Sequence, residues 1–171
     1  MSIRLFVMRH AIAVERGSAG NTTDAARPLT DEGRIQARRA GEGLRCLKLD
    51  IDFIASSPYA RALETAKEVA AALDFKAPIR EIPELRPDEH PSAATAALKA
   101  ASGASSILTV GHEPHVSRWL SYLLTGKEDV QTLFKKGAVA CFNLERMPPP
   151  VGSAVLRWFM TAKQLAFIGK S

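Results

Sequence analysis

The chain has 171 residues, 46% of them hydrophobic, which suits one domain with a buried core and calls for no second. Its 23 basic and 18 acidic residues give a formal charge of +5, but the signs are interspersed rather than gathered into the basic, aromatic-laced block that nucleic-acid binding favours. Ile3 to Met8 is too short for the apolar region of a signal peptide, no apolar run approaches a membrane span, and Cys46 and Cys141 lack CxxC spacing, so the expected setting is the cytoplasm with two reduced, packed thiols.

In chain order, Ile3-Arg4-Leu5-Phe6-Val7-Met8 reads as a buried strand ending in Arg9-His10-Ala11. Val14 to Pro28 is a polar loop with Glu15, Arg16, Gly17, Ser18, Gly20 and Asn21, placed to reach a ligand at that strand end. Thr30 is the expected N-cap of a helix, with Asp31 and Glu32 in its first turn and Ala37, Ala40, Leu44 and Leu47 at helical spacing. Arg34, Arg38 and Arg39 lie off that stripe and read as a solvated face.

Asp50 to Ala55 is the second strand. Ser57 then reads as an N-cap and Pro58 as the first helical residue, which puts Arg61 in the first turn of a helix over Tyr59 to Leu73. Pro78 to Pro83 is a short strand, Glu84 to His90 a charged loop, and Pro91 to Ala101 an Ala-rich helix. Ser106 to Val110 repeats the opening pattern: a buried strand ends in Gly111-His112-Glu113-Pro114, with Pro114 at the first position of a helix carrying Val116, Trp119, Leu120, Leu123 and Leu124, ended by Thr125-Gly126. His115 reads as a surface residue and His90 as part of the charged loop. Ala138 to Leu144 and Ala154 to Phe159 are expected to pair as a hairpin at a sheet edge. The alternation of strand and helix points to parallel crossover units in an α/β layered fold.

Ligands of open α/β sheets bind beyond the carboxyl ends of the strands, so Arg9, His10, Arg61 and His112 converge on one rim. A phosphoryl group in transfer carries negative charge on its peripheral oxygens, which fixed guanidinium groups stabilise. Nearby arginines also keep an imidazole neutral, as a nucleophile must be.

Arg9-His10-Ala11, the segment Ser56-Ser57-Pro58-Tyr59-Ala60-Arg61-Ala62-Leu63-Glu64-Thr65-Ala66, and Gly111-His112-Glu113-Pro114 resemble, in order and spacing, the three signature blocks of the histidine phosphatase (phosphoglycerate mutase-like) superfamily. The short chain and Arg27-Pro28-Leu29-Thr30-Asp31-Glu32-Gly33 are more similar to SixA-type phosphohistidine phosphatases than to the larger mutases. The resemblance implies a three-layer sandwich with a mostly parallel central sheet flanked by helices, residues 1–171 forming a single domain. It implies His10 as a nucleophile passing through a phosphohistidine intermediate, His112 as the second imidazole, neutral or cationic, and Arg9, Arg61, His112 and Glu113 as substrate-binding groups, with no metal and no cofactor. It also places a proton donor in the charged loop, where Glu84, Asp88 and Glu89 are the candidates; the mutases have a Glu two residues after the equivalent of Leu85, and this chain has Pro87.

An alkoxide leaving group needs a proton donor, an effect of about 10² to 10⁴ in rate, whereas an imidazole leaving group can carry its proton on the distal nitrogen near neutral pH. A site without a firmly placed acid therefore favours phosphohistidine on a protein. A small phosphate ester is the alternative substrate, and a non-catalytic phosphohistidine-binding module or a metal-dependent phosphohydrolase using His112 and His115 are alternative functions. Neither a nucleic-acid nor a membrane partner is expected, and the sequence specifies no oligomeric state.

Overall fold

Leu5, Phe6, Val7 and Met8 are all fully buried, as a strand covered on both faces requires. In the computed structural model, which describes residues 3–17 and 23–170, they form β1 (Ile3–Arg9). Ser18, Gly20 and Asn21 of the expected polar loop lie outside the described residues. The other strands are β2 (Phe53–Ser56), β3 (Arg80–Glu81), β4 (Ser106–Gly111), β5 (Val139–Leu144) and β6 (Val155–Met160). They make one six-stranded sheet in the order β3-β2-β4-β1-β5-β6. Strands β3, β2, β4 and β1 pair in parallel, and β5 is antiparallel to both β1 and β6, so the sheet is mostly parallel.

The pleat of β1 divides the core in two. Leu5 and Val7 join Ile107, Val116, Trp119, Leu120 and Phe142 on one face, under α3 (Pro91–Ala97, continued by a tight turn over Leu98–Ala101) and α4 (His115–Thr125). Phe6 and Met8 join Leu44, Ile54, Ala66, Val69, Leu108 and Leu165 on the other, under α1 (Asp31–Cys46), α2 (Ala60–Ala72) and α5 (Ala162–Ile168). Adjacent residues thus serve opposite layers, the consequence of a two-residue side-chain period. Helix, sheet and helix form three layers, and each fully buried Leu or Phe contributes about 1.5–3 kcal/mol of burial.

Two local devices fix the helices beside the sheet. The Thr30 hydroxyl accepts from Gly33 N at 3.0 Å, and Thr30 N donates to Ile12 O at 3.1 Å. A Cβ on Gly33 would lie 1.9 Å from Ile12 O, so only glycine lets the start of α1 touch the chain leaving β1. At the other end, Gly126 adopts φ 75° to close α4, the left-handed conformation that glycine adopts freely.

The observed elements differ from expectation at several points. Helix α2 starts at Ala60, with Tyr59 as its cap, rather than at Pro58; α4 starts at His115, one residue after Pro114. The second strand is confined to Phe53–Ser56 and the third to Arg80–Glu81. Helix α5 was not foreseen, although Thr161 and Gln164 form a full capping box at its start. The hairpin of β5 and β6 is present at the sheet edge, with an irregularity between Cys141 and Phe142.

Candidate active site

Backbone pairing gathers the site. His10 N donates to Gly111 O at 2.9 Å, and Ser57 N donates to Val110 O at 2.9 Å. The ends of β1, β2 and β4 are therefore held in register at the residues that carry the candidate side chains. Thr65 ties the α2 segment to the same end: its hydroxyl accepts from Ala11 N at 3.0 Å and donates to Arg61 O at 2.6 Å.

The result is a cluster in which His10 is 6% exposed, Arg61 3% and His112 1%. The two imidazole centroids lie 5.1 Å apart, and Arg61 Nε is 3.2 Å from His10 Nε2. A guanidinium can only donate, so His10 Nε2 must accept and present a lone pair. His10 Nδ1 then carries the proton and donates it to Ala11 O at 2.7 Å. The tautomer is set from both sides of the ring.

Burial is the main cause that lowers the His10 pKa to about 3; the Ala11 carbonyl opposes the shift, and the charges of Arg61, Arg9 and Lys136 add to it. His10 is thus neutral across the physiological range. His112 is lowered to about 2, by burial first and then by His10 and Arg61, so it is neutral rather than cationic. Its Nε2 is hydrogen-bonded to Ser57 Oγ at 2.8 Å and its Nδ1 is buried without a partner. Ser57 was expected to cap α2; its hydroxyl instead joins His112, accepting only a long 3.4 Å bond from Tyr59 N. Tyr59 lies edge-on to His112 at 5.2 Å between centroids, and the Arg61 guanidinium stands 5.2 Å from the same phenol ring.

Each arginine has its own brace. Arg9 donates to Phe134 O at 2.7 Å, while its Nε is buried without a partner. Burial lowers the Arg9 pKa, and the charge of Glu113 opposes that. Glu113 in turn accepts from Ser117 Oγ at 2.5 Å. Arg61 donates to the Asp24 carbonyl at 2.6 Å and to its carboxylate at 3.1 Å. Asp24 also pairs with Arg27 at 2.9 Å. Burial raises the Asp24 pKa, but the charges of Arg61 and Arg27 outweigh it and the net shift is downward. Sequence reasoning missed Asp24, because the pair spans 37 positions and leaves no local pattern.

The candidate acids are not gathered in. Glu89 is held by Arg86 at 2.5 Å, Asp88 is exposed and Glu84 half-buried, and none of the three makes a hydrogen bond or ion pair with His10, Arg61 or His112. His115 corrects another expectation: it is 0% exposed, packed on Trp119, with neither ring nitrogen hydrogen-bonded. It faces the core because it stands one helical turn before Trp119 on the buried stripe. Among the described residues no three His, Cys, Asp or Glu side chains converge as a metal site would require, and no helix is long and apolar enough to cross a membrane.

A sheet of this order that joins two imidazoles and two guanidinium groups at its strand ends defines a class. The sequence model of the histidine phosphatase superfamily (branch 1) matches residues 5–87, just under half of the chain, and this match supports a phosphatase hydrolase of that superfamily. Within it, the chain is similar to phosphohistidine phosphatase SixA of Escherichia coli (strain K12), with 28% identity over 161 residues, 93% of this chain and 94% of that one. The structure of the protein histidine phosphatase SixA complexed with tungstate superposes with a TM-score of 0.83 at 27% identity, covering 95% of this chain and 99% of the other. The mycobacterial glucosyl-3-phosphoglycerate phosphatase shares the fold, at a TM-score of 0.69 and 16% identity over 92% of this chain and 98% of that one.

Proposed function

We propose that this protein removes phosphate from phosphohistidine on another protein, by way of a phosphohistidine formed on its own His10. The observation that carries this reading is the fixed lone pair on His10 Nε2. An entering phosphoryl group takes over the Arg61 N–H donors and draws positive charge from Arg9, which leaves Nε2 free to attack phosphorus. The P–N bond to the substrate imidazole breaks as the P–N bond to His10 forms, and the departing ring leaves neutral because its distal nitrogen already holds a proton. Water then hydrolyses the phospho-His10 and releases phosphate. A bound dianion also raises the pKa of His112, which allows that ring to share a proton with the phosphoryl oxygens.

The carboxylates favour a nitrogen leaving group over an oxygen one. Asp24 is committed to three arginines (Arg16, Arg27 and Arg61), Glu113 to Ser117 and Glu89 to Arg86. These carboxylates are thus engaged as acceptors of hydrogen bonds from other side chains, an arrangement ill suited to giving a proton to an alkoxide. The likeness to SixA supports the same substrate class, and the tungstate in the SixA structure is a tetrahedral oxyanion like phosphate. No ligand set for a metal enters the scheme, so turnover is expected to persist in chelator. The test is incubation with a ³²P-labelled phosphohistidine protein. Acid-labile, base-stable label on the wild type and none on His10→Ala is the expected result; label on the alanine variant would remove His10 from the role.

A further inference from the structure

A groove of about 810 Å³ runs between α1 and α5, apart from the histidines but opening toward the same end of the sheet. Gln36 in its wall accepts from Ile12 N at 3.1 Å, two residues beyond His10. Ala162 on the opposite wall is a close neighbour of Gly137, whose N–H donates to the carbonyls of Arg9 and His10. Met160 lines the groove and pairs with Val139, which pairs with Met8. The groove therefore begins at the level of the site itself.

Its surface is apolar and uncovered, with Ile35 52% exposed and Phe167 75% exposed. Around these two stand Arg39, Lys163 and Lys170, against the single acid Glu32. None of the three cations has an ion-pair partner among the described residues. This contrasts with Arg34 and Arg38 on the α2 side of the same helix, which pair with Glu64 and Glu68 at 3.0 and 2.9 Å. Exposed Lys136, one residue before Gly137, carries the uncompensated charge to the mouth of the site, where it acts on His10. Exposed apolar area ringed by unpaired charge is the pattern of a docking surface rather than of an ordinary solvated face.

We infer that this groove seats the phosphohistidine protein, through an acidic surface segment whose apolar side chain rests on Ile35 and Phe167 while its carboxylates face Arg39, Lys163 and Lys170. The inference rests on the substrate proposed above and names the surface that selects it. A second copy of this chain is a poor occupant, since it would bring a further +5 charge against the same cations.

The test compares Lys163→Glu/Lys170→Glu and Phe167→Ser with the wild type on phosphohistidine proteins of graded surface charge and on phosphoramidate, a small N–P substrate. Both variants are expected to lower kcat/KM on an acidic phosphoprotein about tenfold more than on phosphoramidate, mainly through KM, with the charge reversal moving preference toward basic phosphoproteins. Equal losses on both substrates, or no loss on the phosphoprotein, would overturn the inference. So would a wild-type dimer in sedimentation that Phe167→Ser dissociates, which would give the groove to a second copy. A wild type that cleaves phosphoramidate but no phosphohistidine protein refutes the proposed substrate as well; one that cleaves the protein while the groove variants match it refutes the groove alone.

Discussion

Arg61 places one guanidinium on three acceptors: His10 Nε2, the Asp24 carbonyl and the Asp24 carboxylate. Only a planar fork can meet all three, so Arg61→Lys, which keeps the charge, is expected to lower kcat/KM on a phosphohistidine protein by about 10² or more. A lysine variant within a few-fold of wild type would show that charge alone suffices. Asp24→Asn retains the shape but loses the ion pair; a smaller fall of about tenfold is expected, with steady-state kinetics as the measure. The sequence made Arg9, His10, Arg61 and His112 legible as a set because each stands at or just beyond a strand end. Asp24 was illegible, since its partner is distant along the chain. His115 was legible and misread: its spacing to Trp119 marks the buried stripe, but its polarity suggested the surface.

At the scale of elements, apolar runs and caps identified the strands and helices α1 to α4, whereas α5 was overlooked. Seven residues carry little periodicity, and the readable signal was the Thr161 to Gln164 capping pair. Thr161→Ala is expected to cost about 1 kcal/mol in urea unfolding, through loss of the cap. Gly33 is more severe: its added Cβ would meet the Ile12 carbonyl at 1.9 Å. Gly33→Ala should therefore destabilise the fold by more than about 2 kcal/mol, since the obstacle is backbone rather than a yielding side chain. Unfolding midpoints close to wild type would mean that α1 can shift outward at little cost. The start of α2 was misplaced for a related reason, because the hydroxyl that could have capped it is engaged by His112.

For the molecule as a whole, three buried histidines shape its response to acid. His10, His112 and His115 have folded pKa values of about 3, 2 and 4, against about 6.5 in the unfolded chain. The folded state thus binds fewer protons: these groups cost nothing above about pH 6.5, and stability falls as pH drops from there toward the folded values. With all three charged in the unfolded chain, the slope approaches about 4 kcal/mol per pH unit, and His115→Leu should remove about a third of it. Urea unfolding at a series of pH values between neutral and 4.5 checks this; an unchanged slope in the leucine variant would mean that His115 does not resist protonation.

The last strand leaves one long rim of the sheet unpaired. Strand β6 bonds to β5 on one side only, and its own Val155 and Leu156 are 57% and 39% exposed. Such a border invites intermolecular strand addition and, with it, fibrous aggregation. Arg157 interrupts the apolar run, and the break in register at Cys141/Phe142 kinks the ribbon. Solubility at high concentration therefore depends on one side chain remote from the chemistry, and replacing Arg157 with valine would be expected to bring turbidity before any loss of turnover.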